Sequence, residues 1–389
     1  MRAERLSLFV FLDAFGWEIL QSVEFFPNLL PHRRRLRSIL GYSSACVPSI
    51  LTGKTPAEHG HFSFYFYNPE SSPFKWLYPL RVLPRALASR ARVRNKISQA
   101  LKGFYGYTGY FQIYNMPFRY FHLFDYCEKK SLFEPDGMIH GDNIFALLRL
   151  SGIPHHVSDW RRSEDDNHDA ALAAIRERQV AWIFNYNADL DGLLHVHGVG
   201  SEPVLSQIDR YRQRLARLFA EAEECYRDLD IYVFSDHGQA NTTANHPLWR
   251  EIDALGFRFG RDYAAVYDST MARFWFMNQD ARAAITARLS AESYGRIMPR
   301  AELEALGAYF PDAKYGELFF LVDEGHLLVP SFMGERPIVG MHGYHPDASS
   351  AYAMLLSNHP IPDDVQAITD LYTLMAAPAL TWRGRETTR

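Results

Sequence analysis

An α/β fold with a mainly parallel central sheet is what this sequence predicts, on three observations. Short apolar runs end abruptly in polar residues: from Leu6 to Leu12 before Asp13, from Val180 to Tyr186 before Asn187, and from Ile231 to Phe234 before Ser235, Asp236 and His237. Near-continuous apolar runs of this length suit strands covered on both faces. Between them lie stretches with charged faces, notably from Asp169 to Arg178 and from Glu202 to Asp228, which give the strand–helix alternation of a parallel sheet. Ligands of such folds sit beyond the carboxyl ends of the strands, where this chain gathers its acids and histidines.

The 389 residues are enough for one large domain, and 47% hydrophobic with 22% charged residues is ordinary globular composition. A formal net charge of −4 argues against bulk electrostatic binding of polyanions, so nucleic acid is not an expected partner. An anionic substrate would need a local cluster or bound metal. The three cysteines, Cys46, Cys127 and Cys225, are widely spaced and form no CxxC pair, which supports neither a disulfide framework nor a thiolate zinc site. The first apolar run is too short for a signal peptide, and no stretch of eighteen apolar residues occurs after it, so the expectation is a cytoplasmic protein.

Residues 62–130 change texture and read as an aromatic and basic insertion, a cap on the core. Tyrosine and phenylalanine crowd residues 64–67, 104–107 and 119–122. They suit either a packed core or a surface that stacks on a base or an apolar leaving group. Within the insertion, residues 80–102 place Arg81, Arg85, Arg90, Arg92, Arg94 and Lys96 among Leu83, Leu87, Val93, Ile97 and Leu101, the pattern of a basic amphipathic helix. A solvated surface helix, a substrate-binding cap and a surface for a membrane or lipid-like substrate all fit it. Residues 243–335 form a second, smaller accessory region. It has strand-like runs from Arg273 to Met277 and from Leu318 to Val322, and a helical piece from Ala281 to Ser293.

The acid and histidine clusters are weak signals singly. Asp13 could cap a helix, and Asp236-His237-Gly238 could be a turn. Asp191 and His195, four residues apart, come to one side of a helical turn and can share a metal. Asp236 and His237 offer adjacent oxygen and nitrogen donors after a strand, and His342 lies in a glycine-flanked loop. Imidazole with carboxylate suits zinc, with manganese or iron as alternatives, better than calcium.

Taken in order, these segments resemble the type I phosphodiesterase and nucleotide pyrophosphatase branch of the alkaline phosphatase superfamily. The family's first aspartate comes after strand one, as Asp13 does here. Its nucleophile stands nine positions before a Thr-Gly pair, and Thr52-Gly53 therefore selects Ser43 over Ser44. The segment from Tyr186 to Gly198 matches Tyr-x-x-x-x-Asp-x-x-x-His-x-x-Gly, which singles out Asp191 and His195 over Asp189 and His197. Ser235-Asp236-His237-Gly238 and Gly340-Met341-His342-Gly343-Tyr344 complete the set. The resemblance implies one alkaline-phosphatase-like catalytic domain over residues 1–389, a three-layer αβα sandwich. It implies two divalent metal ions, zinc first, one held by Asp191, His195 and His342 and the other by Asp13, Asp236 and His237. The implied reaction is hydrolysis of a small-molecule phosphate ester, diester or pyrophosphate first, through a phosphoseryl intermediate on Ser43.

One departure concerns substrate binding. Many relatives carry an asparagine three residues after the nucleophile that hydrogen-bonds a phosphate oxygen, whereas this chain has Cys46, a weaker donor at the expected substrate contact. Cys46-Val47-Pro48 resembles part of the sulfatase motif Cys-x-Pro-x-Arg but lacks the arginine, and packing near the nucleophile turn is the alternative role for Cys46. Phosphomonoester hydrolysis, phosphoryl transfer to another acceptor and non-catalytic metal or phosphate binding stand as alternatives. His59, His197, His246 and His345 are not expected at the metals.

Overall fold

The structure, a computed structural model, describes residues 3–82 and 90–382. Its centre is a six-stranded sheet in the spatial order His32–Leu36, Ala353–Ser357, Tyr226–Phe234, Ala3–Leu12, Trp182–Asn187 and His155–Val157. Adjacent strands run parallel from Tyr226–Phe234 to His155–Val157, and only Ala353–Ser357 runs against both of its neighbours.

Alternation along the first strand builds the layers. Leu6, Leu8, Val10 and Leu12 face one side, where they meet Ala171 and Ile175 of the helix Glu164–Glu177 and Val204, Ile208 and Leu215 of the helix Glu202–Cys225. Phe9 and Phe11 face the other, against Ile50 and Leu51 of the helix Ser43–Thr52 and Leu374 and Met375 of the helix Leu371–Thr381. This period-two division of a strand buried on both sides gives the expected αβα sandwich. Two elements run past their expected limits. The third apolar run extends back to Tyr226, because the long helix stops at Cys225 and feeds straight into the strand. The helix expected from Asp169 begins at Glu164, where Ser163 caps it by accepting from the Asp166 amide.

Residues 62–130 and 243–335, separate in the sequence reading, share one hydrophobic core. Tyr65, Phe74, Leu101, Phe111 and Tyr126 from the first stretch pack with Tyr263, Tyr267, Phe274 and Phe320 from the second. The second stretch supplies a four-stranded antiparallel sheet ordered Tyr263–Tyr267, Met271–Phe276, Leu318–Val322 and Gly295–Ile297. Much of the aromatic density is therefore core. Among the described residues, 80–102 comprise the end of the 3₁₀ helix Lys75–Val82 and most of the helix Ala91–Tyr105; Leu83, Arg85 and Leu87 lie outside the described residues. Arg92 and Lys96 are exposed there, but Arg94, expected on the basic face, is buried. Its guanidinium donates to the carbonyls of Tyr114 and Met116 at 2.7 Å each, so it pins a loop and leaves the basic face one charge short.

Candidate active site

The sheet register sets the site. Leu12 pairs with Asn187 and Phe11 with Phe234, so the segments leaving three neighbouring parallel strands emerge along one edge. Asp13 comes directly after the first strand and Asp236-His237 after the third. Asp191 and His195 stand on the helix Asp189–His197 that succeeds the second. His342 arrives on the loop after the short strand Gly340–Met341, and Ser43 opens the helix Ser43–Thr52. Gly238 is needed where it stands, because a Cβ there would lie 2.2 Å from the Ser350 carbonyl oxygen.

The six acids and histidines form two groups of three, Asp191 with His195 and His342, and Asp13 with Asp236 and His237, the donor atoms of each within 4.8 Å of one another. The groups touch. The His237 and His342 rings stack with centroids 3.9 Å apart, and His195 lies 5.2 Å from His342. Ser43 Oγ is 3.1 Å from His237 Nε2 and lines the same cavity as Asp13, Asp191, His195 and His342.

Hydrogen bonds on the far side of each group aim its free atom inward. Asp236 Oδ1 accepts from the amides of Ala14, at 3.3 Å, and His237, at 3.0 Å, which leaves Oδ2 unpartnered. Asp13 Oδ2 accepts from the Tyr186 hydroxyl at 3.3 Å, and its Oδ1 has no partner. His195 Nδ1 lies 2.9 Å from the Gly340 carbonyl and His237 Nδ1 3.1 Å from that of Gly238, so in both rings Nδ1 is assigned as the donor. With Nδ1 the donor, each Nε2 is the ring atom left to face a cation. Those nitrogens face carboxylate oxygens: His195 Nε2 is 3.3 Å from Asp191 Oδ1, and His237 Nε2 is 3.2 Å from Asp236 Oδ2. A cation between nitrogen and oxygen, a proton or a metal ion, holds such a pair together. The residues therefore fit two divalent ions.

Electrostatics agrees with the geometry. Burial, reinforced by the charges of Asp236 and Asp191, pushes the Asp13 carboxyl well above the usual range. Burial raises Asp236 too, with His237 opposing. Burial also acts on Asp191, yet its interactions with His195 and the other two imidazoles hold it low. Burial, with the nearby His237, keeps His342 well below the ordinary imidazole value. Burial acts against His195, but pairing with Asp191 raises it, so that pair favours its charged forms, whereas Asp13, Asp236 and His342 resist theirs; the buried carboxylates would gain from a cation brought from outside.

Cys46 does not reach the cavity. Its thiol is fully buried 3.6 Å from the Ser38 hydroxyl, in the layer packed under the sheet, and burial raises it far above the usual thiol range. The expected substrate contact is corrected to a packing residue, because the helix that presents Ser43 turns Cys46 toward the sheet. His59 binds Ser49, His246 pairs with His326, His345 meets Glu302 and His197 is exposed, so none joins the cluster. The sequence reading missed the wall of the cavity, which encloses about 470 Å³ and is lined by Phe64, Tyr110, Tyr114, Glu128 and Trp160. Aromatic density signalled the rings in outline; nothing local marked Glu128.

Residues 8–344 match the family model described as type I phosphodiesterase / nucleotide pyrophosphatase. Human ectonucleotide pyrophosphatase / phosphodiesterase 5 has a similar structure, with a TM-score of 0.68 at 13% identity over 97% of this chain and 95% of that one. The murine ectonucleotide pyrophosphatase / phosphodiesterase 5, in an inactive form in complex with AMP, gives 0.67 at 15% identity with the same coverage. At such identities the likeness concerns the fold. No curated protein sequence matches the chain.

Proposed function

This chain belongs to the type I phosphodiesterase / nucleotide pyrophosphatase family of phosphoester hydrolases, and from that premise we propose that it cleaves a small-molecule phosphodiester by attack of Ser43 on phosphorus. Asp191, His195 and His342 would hold one divalent ion and Asp13, Asp236 and His237 the other, zinc being the first choice for this donor set and manganese or iron the alternatives. When bound, such ions supply positive charge for the phosphoryl oxygens and favour the ionised form of a nearby hydroxyl.

The protein's own groups do the rest. Ser43 Oγ lies 3.1 Å from His237 Nε2, which places the hydroxyl beside the atom that would hold the metal. Ser43 is the first residue of a 10-residue helix whose cap, Tyr42, makes no side-chain hydrogen bond, so first-turn amides and the positive helix end favour an anion beside the nucleophile. Attack forms the Ser43 Oγ–P bond as the bond to one ester oxygen breaks in line. Water then displaces Oγ from phosphorus, so two inversions leave net retention. Tyr186 orients Asp13 through its hydroxyl, and the carbonyls of Gly340 and Gly238 hold His195 and His237 in one tautomer.

The observation that carries this reading is the convergence of Ser43 Oγ with both triplets. Bis-p-nitrophenyl phosphate and p-nitrophenyl phosphate, with and without a chelator, test it. Turnover of the diester by metal-replete protein should disappear with the chelator. It should also disappear in Ser43→Ala, whose metal content should not change. Full activity in that variant would move the nucleophile elsewhere.

A further inference from the structure

Charge is distributed unevenly along this chain. From Ser71 to Phe124 there are nine lysines and arginines and no aspartate or glutamate, in a protein whose formal net charge is −4. A local field of one sign on an acidic protein points to an anionic partner away from the catalytic cavity. The described part of this stretch carries two helices, the 3₁₀ helix Lys75–Val82 and the helix Ala91–Tyr105.

The longer helix turns Arg94, Ser98 and Leu101 into the core, and at about 100° per residue that fixes where its other side chains lie. Arg92 and Lys96 fall on the opposite side. Both are exposed, and among the described residues neither pairs with a carboxylate. Val93, Ile97, Ala100 and Phe104 share the adjoining flank, the first two half-buried and the last two exposed. A cationic edge beside an apolar flank is the cross-section of a helix that lies in a lipid interface, where the stems of lysine and arginine run over apolar material and their charges reach outward.

The flank is extended by the 3₁₀ helix. Phe104 is 75% exposed and Trp76 53%, yet their rings meet with centroids 5.8 Å apart, and the Trp76 indole N–H donates to the Tyr105 hydroxyl. Val82, at the end of the 3₁₀ helix, is 79% exposed, and Arg81 beside it lies 4.0 Å from the Tyr78 ring centre. Single exposed apolar residues need no explanation, but two large rings held in contact at the border of unpaired cations do. A nucleic acid would use the same charges, but it stacks on open aromatic faces, whereas Trp76 and Phe104 are turned at 60° to one another and Val82 offers no ring. An anionic bilayer uses all of them: the phosphates and carboxylates of its headgroups meet the cations, and the rings enter between them.

We propose that Trp76 and Phe104, with Arg92 and Lys96 beside them, dock this protein on an anionic lipid surface. The proposal is independent of the phosphodiester reading, since none of these four residues lines the cavity that holds Ser43. The docking helix is nonetheless tied to that cavity, because Arg94 on its inner side holds the Tyr114 carbonyl in the cavity wall.

Sedimentation of the full chain with vesicles tests it, phosphatidylcholine alone being compared with phosphatidylcholine containing about 30% phosphatidylserine. Partition onto the anionic vesicles should exceed that onto the neutral ones by about tenfold or more and should weaken as salt rises. Arg92→Gln combined with Lys96→Gln should lower it by about tenfold. Trp76→Ser combined with Phe104→Ser should lower it by about the same factor, at high salt as at low. Arg92 and Lys96 are exposed, so the first variant decides the matter if the second fails to fold. Quenching of tryptophan emission by brominated lipid should occur in the wild type and fall in Trp76→Phe, which distinguishes insertion from attraction by charge alone. Equal partition onto the two kinds of vesicle, absence of binding to either, or unchanged partition in the charge variant would overturn the proposal. A uridine oligonucleotide that binds and is not displaced by vesicles would assign the face to RNA instead, and a dimer dissolved by the aromatic variant would assign it to a second copy of this chain. Turnover of bis-p-nitrophenyl phosphate without lipid reports on the Ser43 chemistry separately, so either reading can fail while the other stands.

Discussion

Replacing Glu128 with glutamine should change the pH dependence of stability in a direction opposite to that of most carboxylates. The Glu128 carboxyl is lifted from an ordinary 4.5 to about 8 by burial. The folded protein therefore holds this proton more tightly than the unfolded chain does. Between those two values the native state carries more bound protons, so the group's contribution favours folding below about pH 4.5 and is lost as pH rises toward 8. At about 1.36 kcal/mol per pH unit the full loss is about 5 kcal/mol. Relaxation around a cavity-facing group reduces it, and about 2–5 kcal/mol is the expected range. The groups whose charge reaches it, Tyr110, Tyr114, Tyr126 and Cys127, are themselves raised by burial and stay neutral across this window. Glutamine does not titrate. Urea unfolding of both proteins at pH 5, 7 and 9 isolates the contribution of Glu128, because every other titration and any metal linkage is common to the pair. The variant should gain on the wild type by that amount between pH 5 and 9. A stability difference that stays flat with pH would mean that Glu128 titrates normally and that its isolation in the cavity wall is wrong.

Two further substitutions address the site itself. His342→Ala removes one donor of the Asp191 triplet, so metal stoichiometry measured by elemental analysis should fall from two toward one; an intact two-metal protein would make His342 structural. Cys46→Ala should cost about 1 kcal/mol of stability through a small cavity and leave KM for the diester unchanged, since the thiol packs beneath the sheet. A rise in KM would return Cys46 to the substrate.

How much of this was legible in the sequence depends on what each feature needs. The strand ends were readable because a strand buried on both faces must be apolar until it stops, and the polar residues after Leu12 and Phe234 are then conspicuous. The triplets were readable by family resemblance; spacing alone brought Asp191 together only with His195. Cys46 failed as a substrate contact because helical position, which decides whether a side chain faces the cavity or the sheet, is fixed by how the helix docks. Arg94 failed as a solvated charge for the same reason: carbonyls from the loop holding Ile113, Tyr114 and Met116 turn it inward. Glu128 carried no signal, since an isolated acid before two lysines reads as an ordinary surface run. Those lysines pair locally, Lys129 with Asp125 four residues before it and Lys130 with Asp136 six residues after it, and that spacing does not mark the acid between them.

The shared core of the two peripheral stretches explains why chemistry and selectivity can be held by different parts of the chain without drifting apart. Tyr42, the residue before the nucleophile, bonds through its hydroxyl to Thr270 Oγ1 at 2.9 Å and receives the Thr270 amide at 3.2 Å. Thr270 in turn donates to the Gly343 carbonyl at 2.8 Å, beside His342, and it immediately precedes the strand Met271–Phe276 of the second sheet. Asp268, two residues earlier, fixes Arg273, whose guanidinium also reaches Ser63 at 2.8 Å and the Tyr65 carbonyl at 3.1 Å, on either side of Phe64. One short turn, residues 268–273, thus ties the nucleophile helix, the His342 loop and an aromatic wall of the cavity to the same buried ion pair. A buried pair is a poor source of net stability, but breaking it leaves an uncompensated charge, so it opposes small displacements of everything attached to it. The distance from Ser43 to that wall is in this way set by the packed core, and exposed loops do not control it.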